Sequence, residues 1–327
     1  MNKLHTIEEA AALIKSGARA VIAGPESLLT QLPKGDWIGG TIPYFMDDIG
    51  GLKTDDRVFV SALPDSVTAI STRLYDEHEL ASIARDEAEN GFSFLIVPAM
   101  TTVHESFAKN VYGYEGIFNR PLLGWIAGVA VENIGVDHPK VVDGRTGVIS
   151  NDRAVALHAT LASGHQAEIG IVNLFGQGDG PSIEVDDTGF RIGTARVNGE
   201  KVNLANWLIE NKIDTRLPLV ADYCGAMVNV SIASVDVAEG RVQFYAPVFP
   251  GVTYRIAAPV ADYPKSFAAA IEPLDITPAL SVNCVLNYLY GSLEGQHTGH
   301  FKGPFTFGEI AYGLLNQTLV HLQIHKI

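Results

Sequence analysis

Cysteine is nearly absent from this chain. Cys224 and Cys284 are the two in 327 residues, too few for a disulfide framework, and they form no Cys-x-x-Cys zinc pattern. Positive charge is also scarce: 23 Lys and Arg stand against 37 Asp and Glu, a formal net charge of −14. An acidic surface repels phosphate backbones, so no nucleic-acid partner is expected. No apolar run approaches the ~20 residues that span a bilayer, so no membrane partner is expected. The start, Met1-Asn2-Lys3-Leu4-His5-Thr6, has no apolar core flanked by positive charge and does not read as a signal peptide. These absences predict a cytoplasmic protein. No repeat of fixed period is seen.

What is present is a globular composition, 47% hydrophobic and 18% charged, with enough chain to bury a core without metal or disulfide. At about 100–200 residues per domain, the length suggests two domains or one large one. Thr6 and Glu9 form a capping box ahead of Ile7, Ala10, Ala11 and Ile14 on one helical face. Strands are predicted at 19–24, 37–43, 57–63 and 92–98, the last after a helical pattern over 77–90. Residues 104–110 read as helix and 122–131 as a strand interrupted by Gly124 and Gly128. The acidic runs Asp76-Glu77-His78-Glu79 and Arg85-Asp86-Glu87-Ala88-Glu89 read as a solvated helix face.

Residues 138–147 are rich in turn formers, and hairpins are expected beyond them. Asp187-Thr188-Gly189 and Asn198-Gly199 each read as a hairpin turn between short apolar runs. Helices are expected at 204–211 and 262–271. An apolar, β-branched run covers 280–287, and an alternating strand closes the chain over 318–324. The predicted fold class is α/β (α+β): two layered halves, 1–145 and 146–327, with mixed β-sheets flanked by helices.

Three stretches carry candidate chemistry. Gly176-Gln177-Gly178-Asp179-Gly180 leads to Pro181 and a strand rather than a helix, so a flexible hairpin connection fits better than an anion cradle. Asp222-Tyr223-Cys224-Gly225 gathers a carboxylate, a phenol and a thiol on one loop. Glu294, His297 and His300 have the donor types for a metal, but Gly295 and Gly299 argue against a regular helix and favour a polar loop. Trp37, Tyr44, Phe45, Phe249 and Tyr254 are either pocket lining or plain core.

At the C-terminus, Gly303-Pro304-Phe305-Thr306-Phe307-Gly308-Glu309-Ile310, followed by Asn316-Gln317-Thr318-Leu319, resembles the closing signature of FIST sensory proteins. Ser281-Val282-Asn283-Cys284 resembles that family's strand ending in cysteine. Trp37-Ile38-Gly39-Gly40-Thr41 resembles the glycine pair of its first half, and Leu217-Pro218-Leu219-Val220 the start of its second. The family often has Arg three residues after the cysteine; here that position is Asn287. The resemblance implies a two-half module that binds a small molecule between its halves, such as an amino acid, with haem in some relatives. No kinase, cyclase or chemotaxis domain lies within these residues, so a stand-alone sensory module is expected.

The expected ligand-binding residues are Asp222, Tyr223, Cys224, Asn283, Cys284, His297, His300 and Glu309. An enzyme using Cys284 or Cys224 as nucleophile and His297 or His300 as base is the alternative. A haem or metal protein using His297, His300 and Glu294 is another. A homo-oligomer is left open.

Overall fold

Parallel strands cannot be joined by a tight turn and need a crossover. This chain makes the crossover three times with a helix. Ala20–Gly24 pairs in parallel with Trp37–Thr41, and α2 (Glu26–Leu29) lies between them in sequence. Gly91–Pro98 pairs with Leu122–Ala127 across α3 (Thr102–Asn110). Leu280–Cys284 pairs with Gly303–Thr306 across α6 (Val285–Tyr290). The remaining helices are α1 (Ile7–Lys15), α4 (Leu204–Glu210) and α5 (Tyr263–Ile271). The computed structural model describes residues 2–274 and 276–327.

Among the described residues, 42% lie in strands and 18% in helices. The α/β expectation therefore holds as a mixed fold, and the helices are too few to flank every sheet. Four six-stranded sheets and one three-stranded sheet form. Three of them join strands from both sides of residue 145: Val141–Asp143 pairs with Val148–Ser150 just across it, and two others join distant segments. Glu309–Ala311 pairs with Leu122–Ala127, and Gly303–Thr306 pairs with Tyr44–Asp47. The largest core follows these sheets and mixes Phe45, Phe59, Phe94 and Trp125 with Val282, Phe305 and Leu322. Each such buried side chain contributes about 1.5–3 kcal/mol through its removal from water. Trp37, Tyr44, Phe45 and Tyr254 are core residues, at most 3% exposed.

Local chemistry sets several elements as expected. Thr6 and Glu9 form the reciprocal capping box of α1. Asn198 and Gly199 have φ of 49° and 84°, the left-handed pair that a two-residue hairpin needs, and they join Thr194–Val197 to Glu200–Asn203.

Other elements differ. The helix expected over 77–90 is a short 3₁₀ segment, Glu79–Arg85. Asp76 accepts from the His78 and Glu79 amides, while Arg73 and Tyr75 hold Asp86. These side-chain ties compete with a regular helix. The turn at 187–189 joins no hairpin: Ile183–Glu184 pairs with Thr194–Val197, and Gly189–Ile192 pairs with Arg241–Val248 in another sheet. Turn-rich 138–147 contains the strand Val141–Asp143, which pairs with Val148–Ser150. The glycine stretch at 176–180 connects two sheets rather than two hairpin strands, with the Gly178 amide bonded to the Ile256 carbonyl. The apolar run 280–287 changes from strand to helix at Cys284.

Candidate functional site

The strand Leu280–Cys284 is buried along its whole length because it runs between Gly303–Thr306 and Leu319–Lys326. Cys284, at its end, opens α6. Its amide reaches the Thr318 carbonyl at 3.2 Å and the Asn283 Oδ1 at 2.8 Å. Asn287, one helical turn on, donates to the same Asn283 oxygen at 2.9 Å. This arrangement leaves Asn283 Nδ2 and Asn287 Oδ1 buried without partners among the described residues.

Glu309 comes from the other side of the turn. It is fully buried and pairs with Trp125 in strand register. Its Oε2 accepts from the Thr318 amide at 3.1 Å and the Thr318 hydroxyl at 2.8 Å. Oε1 has no partner of good hydrogen-bond geometry, yet the carboxyl and the Cys284 thiol lie close enough to perturb each other. Burial pushes the Glu309 carboxyl up to about 8, against the pull of the Thr318 bonds. Burial, then the charge of Glu309, holds the Cys284 thiol well above its ordinary value, while amide contacts from Gln317 and Leu286 favour the thiolate.

The turn carrying Thr318 is stitched on its other face. Ser231 donates its hydroxyl to Gln317 Oε1 at 2.7 Å, and Asn229 donates to the Asn316 carbonyl at 3.1 Å. Gln317 has φ of 51°, a left-handed conformation stabilised by these bonds. The Gly-Glu-Ile and Asn-x-Thr segments thus form one hydrogen-bonded unit.

A cavity of about 310 Å³ lies beside this unit, lined by Asp214, Arg216, Tyr263, Asn287, Tyr290 and Gln317 among others. Arg216 forms a bidentate pair with Asp214 at its exposed rim. Tyr263 lines the cavity and feels both Cys284 and Glu309, after burial the causes of its raised pKa. Tyr263 and Cys284 belong to the same buried cluster. All lining residues lie between Phe175 and Gln317.

The structure thus brings Asn283, Cys284 and Glu309 together. It does not bring the other expected residues to them. Cys224 is exposed at a hairpin turn, with φ of 56°, and Asp222 caps that turn by accepting from the Gly225 amide. Tyr223 joins Tyr112 and Tyr254 around a cleft that spans residue 145 but holds about 20 Å³, room for roughly one water. His297, His300 and Glu294 are exposed, and His300 stacks on Phe301. Among the described residues, no group of three or more His, Cys, Asp or Glu has the arrangement of a metal site.

Arg216, Tyr263 and Tyr290 carried no local signal. Asn287 did, as the departure at the third position after Cys284. A second buried cluster was also missed. Ser93 meets His158 Nδ1 at 2.7 Å, and Tyr75 meets Nε2 at 2.8 Å. Tyr75 donates to Asp86 at 2.7 Å, so its oxygen accepts from Nε2–H and Nδ1 is left to accept from Ser93. Strand register places Ser93 opposite His158. Burial lowers the His158 pKa to about 4, and the cluster lines none of the cavities above.

No helix is long and apolar enough to cross a membrane among the described residues. No curated protein matches the chain. A family model does match, over residues 5–325, nearly the whole length, and the chain therefore belongs to the family of unknown function DUF6976.

Proposed function

We propose that the chain is a FIST-like sensory protein that binds a small polar molecule in the cavity between Arg216, Tyr290 and Asn287. The observation that carries this reading is the orphaned polar floor. Asn287 Oδ1 belongs to a cavity-lining residue and is buried without a partner, with Asn283 Nδ2 and Glu309 Oε1 close behind it in the same network. Each unpaired buried polar atom costs about 1–3 kcal/mol. Such costs are kept where a ligand supplies the missing bonds.

The two-half division at residue 145, a cytoplasmic location, action without nucleic acid or membrane, and self-association belong to the same proposal. The cavity replaces the inter-half cleft as the ligand's place, because the cleft at Tyr223 is too small. Haem held by His297 or His300 is not part of this reading, because neither histidine lines the cavity.

The test is occlusion. Ala261 lines the cavity on an exposed loop, so Ala261→Trp fills the mouth without disturbing the core. Protein purified from cells is denatured and the released small molecules are identified by mass spectrometry. The wild type should release a compound that the variant lacks. Identical release profiles, or nothing from either protein, would overturn the reading.

A further inference from the structure

We infer that Cys284 and Glu309 form a nucleophile–base dyad that adds reversibly to the carbonyl carbon of a small aldehyde admitted past Tyr263. This rests on the cavity's being the ligand site and names the chemistry at its floor. Three observations support it. Thr318 occupies Glu309 Oε2 with two hydrogen bonds and gives its carbonyl to the Cys284 amide at 3.2 Å, which fixes the carboxyl on the segment that holds Cys284 and leaves Oε1 without a partner among the described residues. Asn283 Nδ2 is a buried donor with no partner among the described residues, on a side chain whose Oδ1 already accepts from the Cys284 amide at 2.8 Å; in the proposal it serves the developing oxyanion. Tyr263 lines a cavity of about 310 Å³ and belongs to the same buried cluster as Cys284; that volume suits a molecule of a few carbon atoms.

The step balances with these groups alone. The Cys284 Sγ–carbon bond forms as the carbonyl π pair moves onto oxygen. The thiol proton passes to Glu309 Oε1 and from there to that oxygen, giving a neutral thiohemiacetal. Reversal releases the aldehyde and restores both side chains. No leaving group, oxidant or metal takes part. A carboxyl shifted by burial to about 8 is, when ionised, a stronger base than an ordinary carboxylate. The expected bases His297 and His300 are replaced in this role by Glu309.

The bland alternative is that Glu309 only staples Thr318 and repels the thiolate. The two readings predict opposite signs. In a Cys224→Ser background, iodoacetamide labelling of Cys284 is followed by peptide mass spectrometry from pH 6 to 9. With the dyad, Glu309→Gln slows labelling at pH 8.5 by ~100-fold or more, the low side of general-base effects. With simple repulsion, the same variant labels faster, and the dyad is overturned. Glu309→Asp, which keeps the charge but withdraws it from sulfur, should also slow labelling and serves if the Gln variant does not fold.

Tyr263→Ala should speed labelling. A thiol that stays unreactive in a folded Tyr263→Ala protein also overturns the dyad. The substrate class is read with 1-¹³C-propanal by ¹³C NMR. A protein-bound tetrahedral carbon signal should appear with Cys284 and vanish in Cys284→Ala. Identical spectra would overturn the aldehyde assignment. Small-molecule release on denaturation reports on the cavity separately, so failure of the dyad leaves that result standing.

Discussion

Replacing Glu309 by Gln should reverse part of the protein's pH dependence of stability. Glu309 has an ordinary carboxyl pKa of 4.5 when unfolded and about 8 when folded. Between these values the folded state holds one proton more than the unfolded state. A raised carboxyl pKa therefore contributes stability that is present below 4.5 and lost as pH rises through 8. Each pH unit in that window is worth about 1.4 kcal/mol, so the three units from pH 5 to pH 8 cost about 4 kcal/mol. Gln titrates in neither state and keeps a carbonyl oxygen for the Thr318 amide and hydroxyl. The other titrating groups are common to both proteins and cancel. Urea unfolding of both at pH 5 and pH 8 gives the comparison. The stability gap should move by about 4 kcal/mol toward the Gln variant at the higher pH. A gap constant within about 1 kcal/mol would show that Glu309 is ionised in the folded state at pH 5, and would refute the burial argument.

Acid should act through buried histidines. Burial lowers the His104 pKa from 6.5 to about 4, so the unfolded chain takes the proton first and stability is lost as pH falls below 6.5. Between pH 6 and 5 the wild type should lose about 1.4 kcal/mol more than His104→Leu in urea titrations; parallel losses would sink the assignment. Two glycines should respond for different reasons. A Cβ on Gly124 would stand 1.8 Å from the Leu95 carbonyl oxygen of the paired strand, so Gly124→Ala should cost about 3 kcal/mol. Nothing lies within 4 Å of a Cβ on Gly199, so Gly199→Ala should cost about 1 kcal/mol from its left-handed φ alone. Equal unfolding midpoints for the two variants would contradict this.

The candidate site was half legible. Asn283, Cys284 and Glu309 stood in motifs of a few residues and do converge. Thr318 was singled out as a strand end, and its amide and hydroxyl do satisfy the turn, through Glu309. The histidines at 297 and 300 drew attention because their spacing suits a metal, but spacing without a helix fixes no geometry, and the loop leaves them in solvent. Arg216, Tyr263 and Tyr290 come from three separate segments and meet only around a cavity. Local sequence contains no trace of such a meeting.

The sequence by itself determined what depends on neighbours within a few residues. The capping box at Thr6, the left-handed Asn198-Gly199 turn and the apolar runs that became strands are set by short-range hydrogen bonding, φ preference and side-chain alternation. Tertiary structure decided which strands pair. Glu309–Ala311 crosses to Leu122–Ala127, Ser93 comes opposite His158, and Ile183–Glu184 and Gly189–Ile192, either side of the turn, go to two different sheets. The physical reason is that a strand exposes the same hydrogen-bonding edge to any partner. Register and neighbour are chosen by the burial of whole faces, and that choice placed the Glu309 carboxyl beside the Cys284 thiol.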